Sequence, residues 1–484
     1  MDFKKTIFNR IQFHHGFLLV VIAVAILIVV PNLLKQGMFM DGQQYACVAK
    51  NLANHKGTFW KPFLSETWLI QGKNEFLEHP PLFYFIESFS FKVFGEFYLT
   101  EKLFSLFTFI LHVLLIHLLY KEIANIDYKK YTWIGIFCWS IIPIVSWVFQ
   151  NNMIEELLSV FTLLSALFSI KAIHSNKFEF VYIVLSGLFV FFATLTKGLP
   201  GFFPIFIPFL SFFILKKSTL QKTIFHSLFL VSIPALIYAC IFIFNQEAKE
   251  SLMFYINNRL LHRISEQPST DYRLFTLVGL LQELLPLFGL ISIIKLINKF
   301  KKTNFVIDSE NKNTIVFFTL IGISASFPLM LTMVQNKFYF FPALPYFAIA
   351  LGLLINVYIK QFFINIHLQK NKFLFFFIGC IAMMFSIIFS VKQINKFSRD
   401  EKIITDVNSI IKSVGHNKTI GVEKDVYYQW NFQFYLLRFG DISIAHAEKK
   451  YNYYISYKTT INEDTNYLKS KLYLNNYTLY SLKK

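Results

Sequence analysis

Long apolar runs alternate with short polar connections over most of the chain, and the length of the runs predicts the elements. A helix crossing roughly 30 Å of hydrocarbon needs about 20 mostly apolar residues. About eleven segments approach that length: 16–34, 100–120, 131–150, 153–172, 180–196, 199–215, 223–244, 273–294, 314–334, 338–359 and 373–391. Two longer polar stretches, 35–99 and 245–272, interrupt the series. In the first, Tyr45, Val48, Ala49 and Leu52 fall at helical spacing, which predicts a helix lying on the membrane surface. From Lys392 onward polar positions dominate. An amphipathic pattern over 400–412 and short apolar strands at 418–422 and 441–445 predict a small α/β domain there. The expected organisation is a helical polytopic membrane module over 1–391 followed by a soluble domain over 392–484.

Composition agrees. Of 484 residues, 55% are hydrophobic and only 16% charged, against about 25% charged in soluble domains, which excludes a single soluble domain. The four cysteines are scattered and Cys138, Cys240 and Cys380 lie inside apolar runs, which excludes a disulfide scaffold and leaves Cys47 alone outside. The first apolar run is too long, and lacks a small-residue cleavage site, for a removed signal peptide, so it is expected to remain as an anchor.

The net charge of +18 acquires a meaning from where the lysines fall. Alternate connections hold Lys4, Lys5 and Arg10, then Lys121, Lys129 and Lys130, then Lys171 and Lys177, with further clusters around Lys217, Lys301 and Lys370. The positive-inside rule assigns these to the cytoplasm. The opposite face then carries both long loops and the tail, and the charge excess calls for no nucleic-acid partner.

Polar residues on that outer face are the candidate chemistry. Asp41 follows the first span at a position that suits either a helix N-cap, with Gln44 completing a capping box, or a general base for an acceptor hydroxyl. Glu78 and His79 precede Pro80 and Pro81, as a solvated turn or as two donors for a divalent metal. Lys197 and Lys337 stand in short outer turns, where a cation either snorkels or holds an anion. Arg259 and Arg263, four residues apart, suit a phosphate or lipid headgroups. Asn151, Asn152, Glu155 and Glu156 cluster at the outer start of the fourth span, where carboxylates are costly unless solvated or paired.

The order Asp-x-x-x-Tyr-Ala at 41–46, Glu-x-Pro-Pro-Leu-x-Tyr at 78–84, Leu-Thr-Lys-Gly-Leu-Pro at 195–200 and Tyr-x-x-Pro-Ala-Leu-Pro at 339–345 resembles the bacterial polyprenyl-phosphate-sugar-dependent glycosyltransferases. Within that group it is most similar to the lipid A aminoarabinose transferases, in the wider protein-mannosyltransferase superfamily of GT-C fold. Where those relatives have lysine after the Glu of the Pro-Pro motif, this chain has His79.

The resemblance implies a GT-C membrane enzyme that takes a sugar from a polyprenyl-phosphate carrier, on the outer face of the bacterial cytoplasmic membrane. It gives the sugar, with inversion, to a lipid, lipopolysaccharide or protein acceptor. It makes Asp41 the catalytic carboxylate, assigns Lys197, Arg259, Arg263, His79 and Lys337 to the donor phosphate, and places Tyr45, Glu78, Tyr84, Glu155 and Tyr339 in the cavity wall. A divalent metal at Glu78 is an expectation of the same kind. The competing classes are a lipid-linked glycan transporter, which needs a polar path through both leaflets, and a non-catalytic membrane scaffold. The gathering of polar residues at one face favours the enzyme.

Overall fold

The computed structural model describes residues 12–67, 74–124, 129–262, 268–300, 307–364, 371–446, 450–459 and 466–483, with side chains 360–364 left aside. Every one of the eleven apolar segments is helical. Among the described residues, nine helices are long and apolar enough to cross a membrane, and a bent pair makes up to ten. The protein is a multi-pass membrane protein.

Two expected spans differ from straight helices, and proline explains both. The segment expected at 131–150 is a pair, Lys129–Ser140 and Pro143–Gln150, bent by 74°. Pro143 lacks an amide proton and clashes with the preceding turn, so the helix restarts there in a new direction. The amide of Ile144 in the new first turn donates to Glu283 Oε2 at 2.8 Å. The segment expected at 199–215 carries Pro200, Pro204 and Pro208 and passes from 3₁₀ through α to π geometry within 17 residues.

The chain divides into two compact units. The first comprises Met1–Leu33, Leu106–Phe149 and Glu155–Gln393 and is built of the apolar helices. In it the helices Phe13–Leu33 and Lys372–Val391 approach closely enough to need glycine. A Cβ on Gly16 would come within 2.5 Å of the Phe375 backbone, and one on Gly379 within 2.7 Å of Leu19. Small residues at such crossings let helix backbones pack where lipid offers no hydrophobic driving force.

The second unit comprises Leu34–Ser105, Gln150–Ile154 and Ile394–Lys484. Its C-terminal part is the expected α/β domain: a five-stranded mixed sheet of β1 (Thr419–Val422), β2 (Ser443–His446), β3 (Tyr453–Tyr457), β4 (Tyr467–Lys469) and β5 (Tyr477–Leu482), in the order β2-β1-β3-β5-β4. The β1 strand pairs in parallel with β2 and β3, while β5 runs antiparallel to β3 and β4. The amphipathic helix Glu401–Val414 buries Ile404, Val407, Ile410 and Ile411 in one core with Ile420, Val422, Ile444 and Ile455 of the sheet.

The helix Met40–Ala53 belongs to the same unit and corrects an expectation. Residues 42–51 are all buried, so it is a core element rather than a helix lying on a membrane. Its Lys50 ammonium donates to the carbonyls of Leu437 (2.8 Å) and Arg438 (3.0 Å) at the end of the helix Trp430–Gly440, and to Asp441 Oδ1 (2.9 Å). Those are carbonyls that a helix end leaves without partners. Cys47 on the same face is buried, which pushes its thiol up to about 12 and keeps it protonated.

Candidate functional site

The structure assigns the predicted residues to two groups, one in each unit. In the second unit, Asp41 lies in the first turn of Met40–Ala53, whose N-cap is Phe39. The capping-box expectation is thereby corrected: the helix starts one residue before Asp41. A carboxylate one turn inside a helix start still profits from the positive end of the helix dipole.

A set of polar groups fixes this turn. The Phe39 amide donates to Asn151 Oδ1 at 2.6 Å, and Gln43 Nε2 donates to the Met38 carbonyl at 2.6 Å. Asn152 Nδ2 donates to Glu87 Oε1 (2.6 Å) and to the Gly42 carbonyl (3.4 Å), while Ser105 Oγ donates to Asn152 Oδ1 (3.2 Å). The Lys102 ammonium holds the Gln150 carbonyl at 2.5 Å and that of Gly37 at 3.3 Å. Asn152 itself sits at φ 51°, a left-handed conformation that asparagine tolerates. Gly42 has no alternative, because any Cβ there would run into the Asn151 carbonyl. Asp41, half-buried, is therefore carried by a backbone whose position is set from both sides.

One turn further, the Tyr45 ring is 6.1 Å from His79, 5.7 Å from Tyr84 and 5.7 Å from Phe83, centroid to centroid. These rings form one cluster, in which Tyr45 and Tyr84 are residues assigned above to the cavity wall and His79 one assigned to the donor phosphate; Tyr84 is fully buried, whereas Glu78 and His79 are half-buried. Among the described residues no three His, Cys, Asp or Glu side chains gather as a metal-ligand set, at Glu78 or elsewhere.

In the first unit, Lys197 closes the helix Glu179–Lys197, with Gly198 at φ 73° turning the chain after it. Its ammonium pairs with Glu155, and both side chains are at least 95% buried. The ammonium also lies 4.5 Å from the centroid of the Tyr339 ring and 5.9 Å from that of Phe338, a cation–π contact. Lys197, Glu155 and Tyr339 thus form one cluster. Glu155 Oε2 is buried without a hydrogen-bond partner among the described residues. Glu156 next to it accepts from Thr108 Oγ1 at 2.7 Å.

Lys337 has other partners in the same unit, donating to Gln282 Oε1 at 2.9 Å with Glu283 at 4.0 Å. Arg259 lies in the π-helical turn Ile256–Leu261, half-buried. Arg263, expected on the same helical face, lies outside the described residues. Sequence reasoning did not find Lys102, Glu87 or Gly42. The signal for Gly42 was its place beside Asp41, whereas the partners of Lys102 and Glu87 lie far off in sequence.

Comparison with known proteins follows this geometry. Residues 78–242 match the family model of the dolichyl-phosphate-mannose-protein mannosyltransferases. ArnT from Cupriavidus metallidurans, crystallised in the apo state, superposes with a TM-score of 0.67 over 96% of this chain and 98% of that one, at 10% identity. The chain has the ArnT fold. A second ArnT structure from the same organism, bound to undecaprenyl phosphate, gives a TM-score of 0.63 at 11% identity with the same coverage. No curated protein sequence matches. At this identity the ArnT likeness is one of architecture, which accounts for the run of apolar helices and the small terminal sheet. The resemblance drawn from the ordered motifs and the fold agree.

Proposed function

We propose that the protein is a glycosyltransferase that moves a sugar from a polyprenyl-phosphate carrier to a hydroxyl of a lipid, lipopolysaccharide or protein acceptor, with inversion. It does so at the outer face of a bacterial cytoplasmic membrane. The observation that carries the reading is the ArnT fold over nearly the whole chain, one ArnT structure being bound to undecaprenyl phosphate. The match of residues 78–242 to a mannosyltransferase family supports the same reaction class.

In this reading Asp41 accepts the proton of the acceptor hydroxyl as its oxygen attacks the anomeric carbon. The bond from that carbon to the phosphate oxygen breaks, and the carrier leaves as a phosphate monoester with one more negative charge than the diester. Cations stabilise that growing charge more in the transition state than in the ground state. Lys197, Arg259 and Arg263, with His79 and Lys337, are the residues assigned to it. Lys197 is held at present by Glu155, and a buried ammonium whose partner retains an unsatisfied oxygen is suited to exchange that partner for a phosphate. Tyr45 and Tyr84 in the second unit and Tyr339 in the first are the residues assigned to aromatic walls, and Glu78 is assigned with them.

The test is native mass spectrometry with lipid extraction of wild-type and Asp41→Asn protein. Wild type is expected to retain bare polyprenyl phosphate and the variant the sugar-loaded carrier, with turnover lower by about 10²–10⁴-fold. Undiminished turnover in Asp41→Asn removes Asp41 as the base. If neither form holds a phosphorylated carrier, a transporter or scaffold replaces the transferase.

A further inference from the structure

A cavity of about 460 Å³ lies within the first unit between the start of the helix Phe13–Leu33 and the segment around residue 130. Its size is that of small-ligand sites, about 300–1,000 Å³. The ionisable residues lining it are all of basic type: His14, His15, His117, Lys121, Lys129 and Lys130, joined by Gln12, Leu18 and Thr132. No described lining residue is acidic. Glu122, next to Lys121, is engaged with His174 at 3.3 Å. Lys4, Lys5, Arg10 and Asp127 lie outside the described residues.

The Gln12 amide donates to His15 Nδ1 at 3.1 Å, which puts the proton of that neutral ring on Nε2. His117 Nδ1 is 2.9 Å from Thr132 Oγ1. His14, whose ring is 4.5 Å from that of His15, has a buried Nδ1 with no hydrogen-bond partner among the described residues. Three ammonium groups without a lining carboxylate, imidazole N–H groups and the amide-rich start of a membrane helix together make a site for a multiply accepting anion. These groups sit at the helix ends and in the connection that the lysine distribution assigns to the cytoplasmic side, where phospholipid headgroups are anionic.

We infer that this cavity binds a phosphate ester, of the kind an anionic phospholipid headgroup presents. It lies in a connection opposite to the one that carries Lys197, and the inference does not depend on the transferase reading. A bare phosphate is small against this volume, since a water takes about 30 Å³, whereas a glycerophosphate headgroup brings further polar atoms and leaves its chains against Leu18 and the apolar helix.

The experiment uses the full-length protein in detergent, titrated with phosphatidylglycerol, with phosphatidylcholine or with inorganic phosphate, and read by native mass spectrometry. Phosphatidylglycerol is expected to bind, and the variant Lys121→Ala/Lys129→Ala/Lys130→Ala to bind at least about tenfold more weakly. Lys177→Ala, another lysine-rich connection, is expected to bind as wild type. Should the triple variant fail to fold, Lys129→Gln alone, at the exposed rim, is expected to weaken binding about threefold. Competition by millimolar inorganic phosphate identifies the natural anion as a free phosphate. Equal phosphatidylglycerol binding by wild type and the lysine variants, or equal binding of phosphatidylcholine, overturns the proposal.

Discussion

Two buried ion pairs in this protein differ in how fully their atoms are satisfied. In the second unit, Arg438 is 1% exposed. Its guanidinium donates to Glu101 Oε2 from Nε (3.3 Å) and Nη2 (2.8 Å), and to the carbonyls of Glu96 (3.0 Å) and Phe97 (2.9 Å). It also stacks 4.7 Å from the Phe91 ring centroid. In the first unit, Lys197 has Glu155 and an aromatic face, and one Glu155 oxygen has no described partner. A planar five-donor fork fixes a structure, whereas a point charge on a flexible stem can change partner. The satisfied pair fits a fastener, and the incompleteness of the other is the observation behind the phosphate role proposed for Lys197.

The strongest way to break this comparison is at Arg438. Arg438→Ala leaves Glu101 buried without its cation and is expected to cost about 3–5 kcal/mol, read as a fall in the thermal unfolding midpoint of the detergent-solubilised protein. Replacing both partners, Arg438→Met with Glu101→Gln, is not expected to restore the midpoint, because the Glu96 and Phe97 carbonyls still lose their donors.

Next in size is Gly42→Ala. The new methyl group meets the Asn151 carbonyl, and overpacking of this kind costs about 1–3 kcal/mol. Turnover is expected to fall along with stability, since the displaced turn carries Asp41. A variant with full stability and full turnover would show that the turn is not fixed as described.

Lys197 is expected to behave in the opposite manner from Arg438. Lys197→Met strands the Glu155 carboxylate at a cost of about 1–3 kcal/mol, and Lys197→Met with Glu155→Gln recovers most of it. Turnover stays low in both. Recovery of activity in the double variant would sink the phosphate role of Lys197, and failure to recover stability would make the pair structural.

The smallest effect is one of pH at Asp441. Burial raises its carboxyl, but the Lys50 and Lys56 ammonium groups together outweigh burial and hold it below its ordinary value of 3.8. With the folded value depressed, the stabilisation is present above the unfolded value and is lost as pH falls through the folded one. Unfolding midpoints of wild type and Asp441→Asn are expected to converge below about pH 4 and to differ at neutral pH. A constant difference across that range would contradict the assignment.

What the sequence made legible follows the range of the interactions concerned. Apolar length located the membrane-length helices, and an amphipathic pattern and short apolar runs located the helix Glu401–Val414 and the strands β1 and β2, because these are local properties of a chain in its solvent. The helix Gln246–Tyr255, inside the polar stretch 245–272, was not found that way. Proline at 143 and at 200, 204 and 208 was visible too, but its consequence, a 74° bend or a passage into 3₁₀ and π geometry, depends on neighbours. The assignments of Tyr45 and Tyr84 to a cavity wall and of His79 to the donor phosphate came from ordered motifs, but the contact between their rings was not legible there. The hold of Asn151 and Asn152 on the turn at Asp41, and of Glu155 on Lys197, joins residues tens of positions or more apart. No periodicity encodes such pairings.

The glycine notch between the helices Phe13–Leu33 and Lys372–Val391 bears on how the protein is made. The first of these helices enters the bilayer early in synthesis, and its mate is translated only after nearly all the other helices. Until then Gly16 and its neighbours face lipid or a provisional partner, and the bundle stays open to whatever quality control inspects unpaired membrane helices. Closing this crossing thus waits until Lys372–Val391 has been made, and filling the notch at Gly379 is expected to reduce the yield of inserted protein while leaving the surviving molecules active.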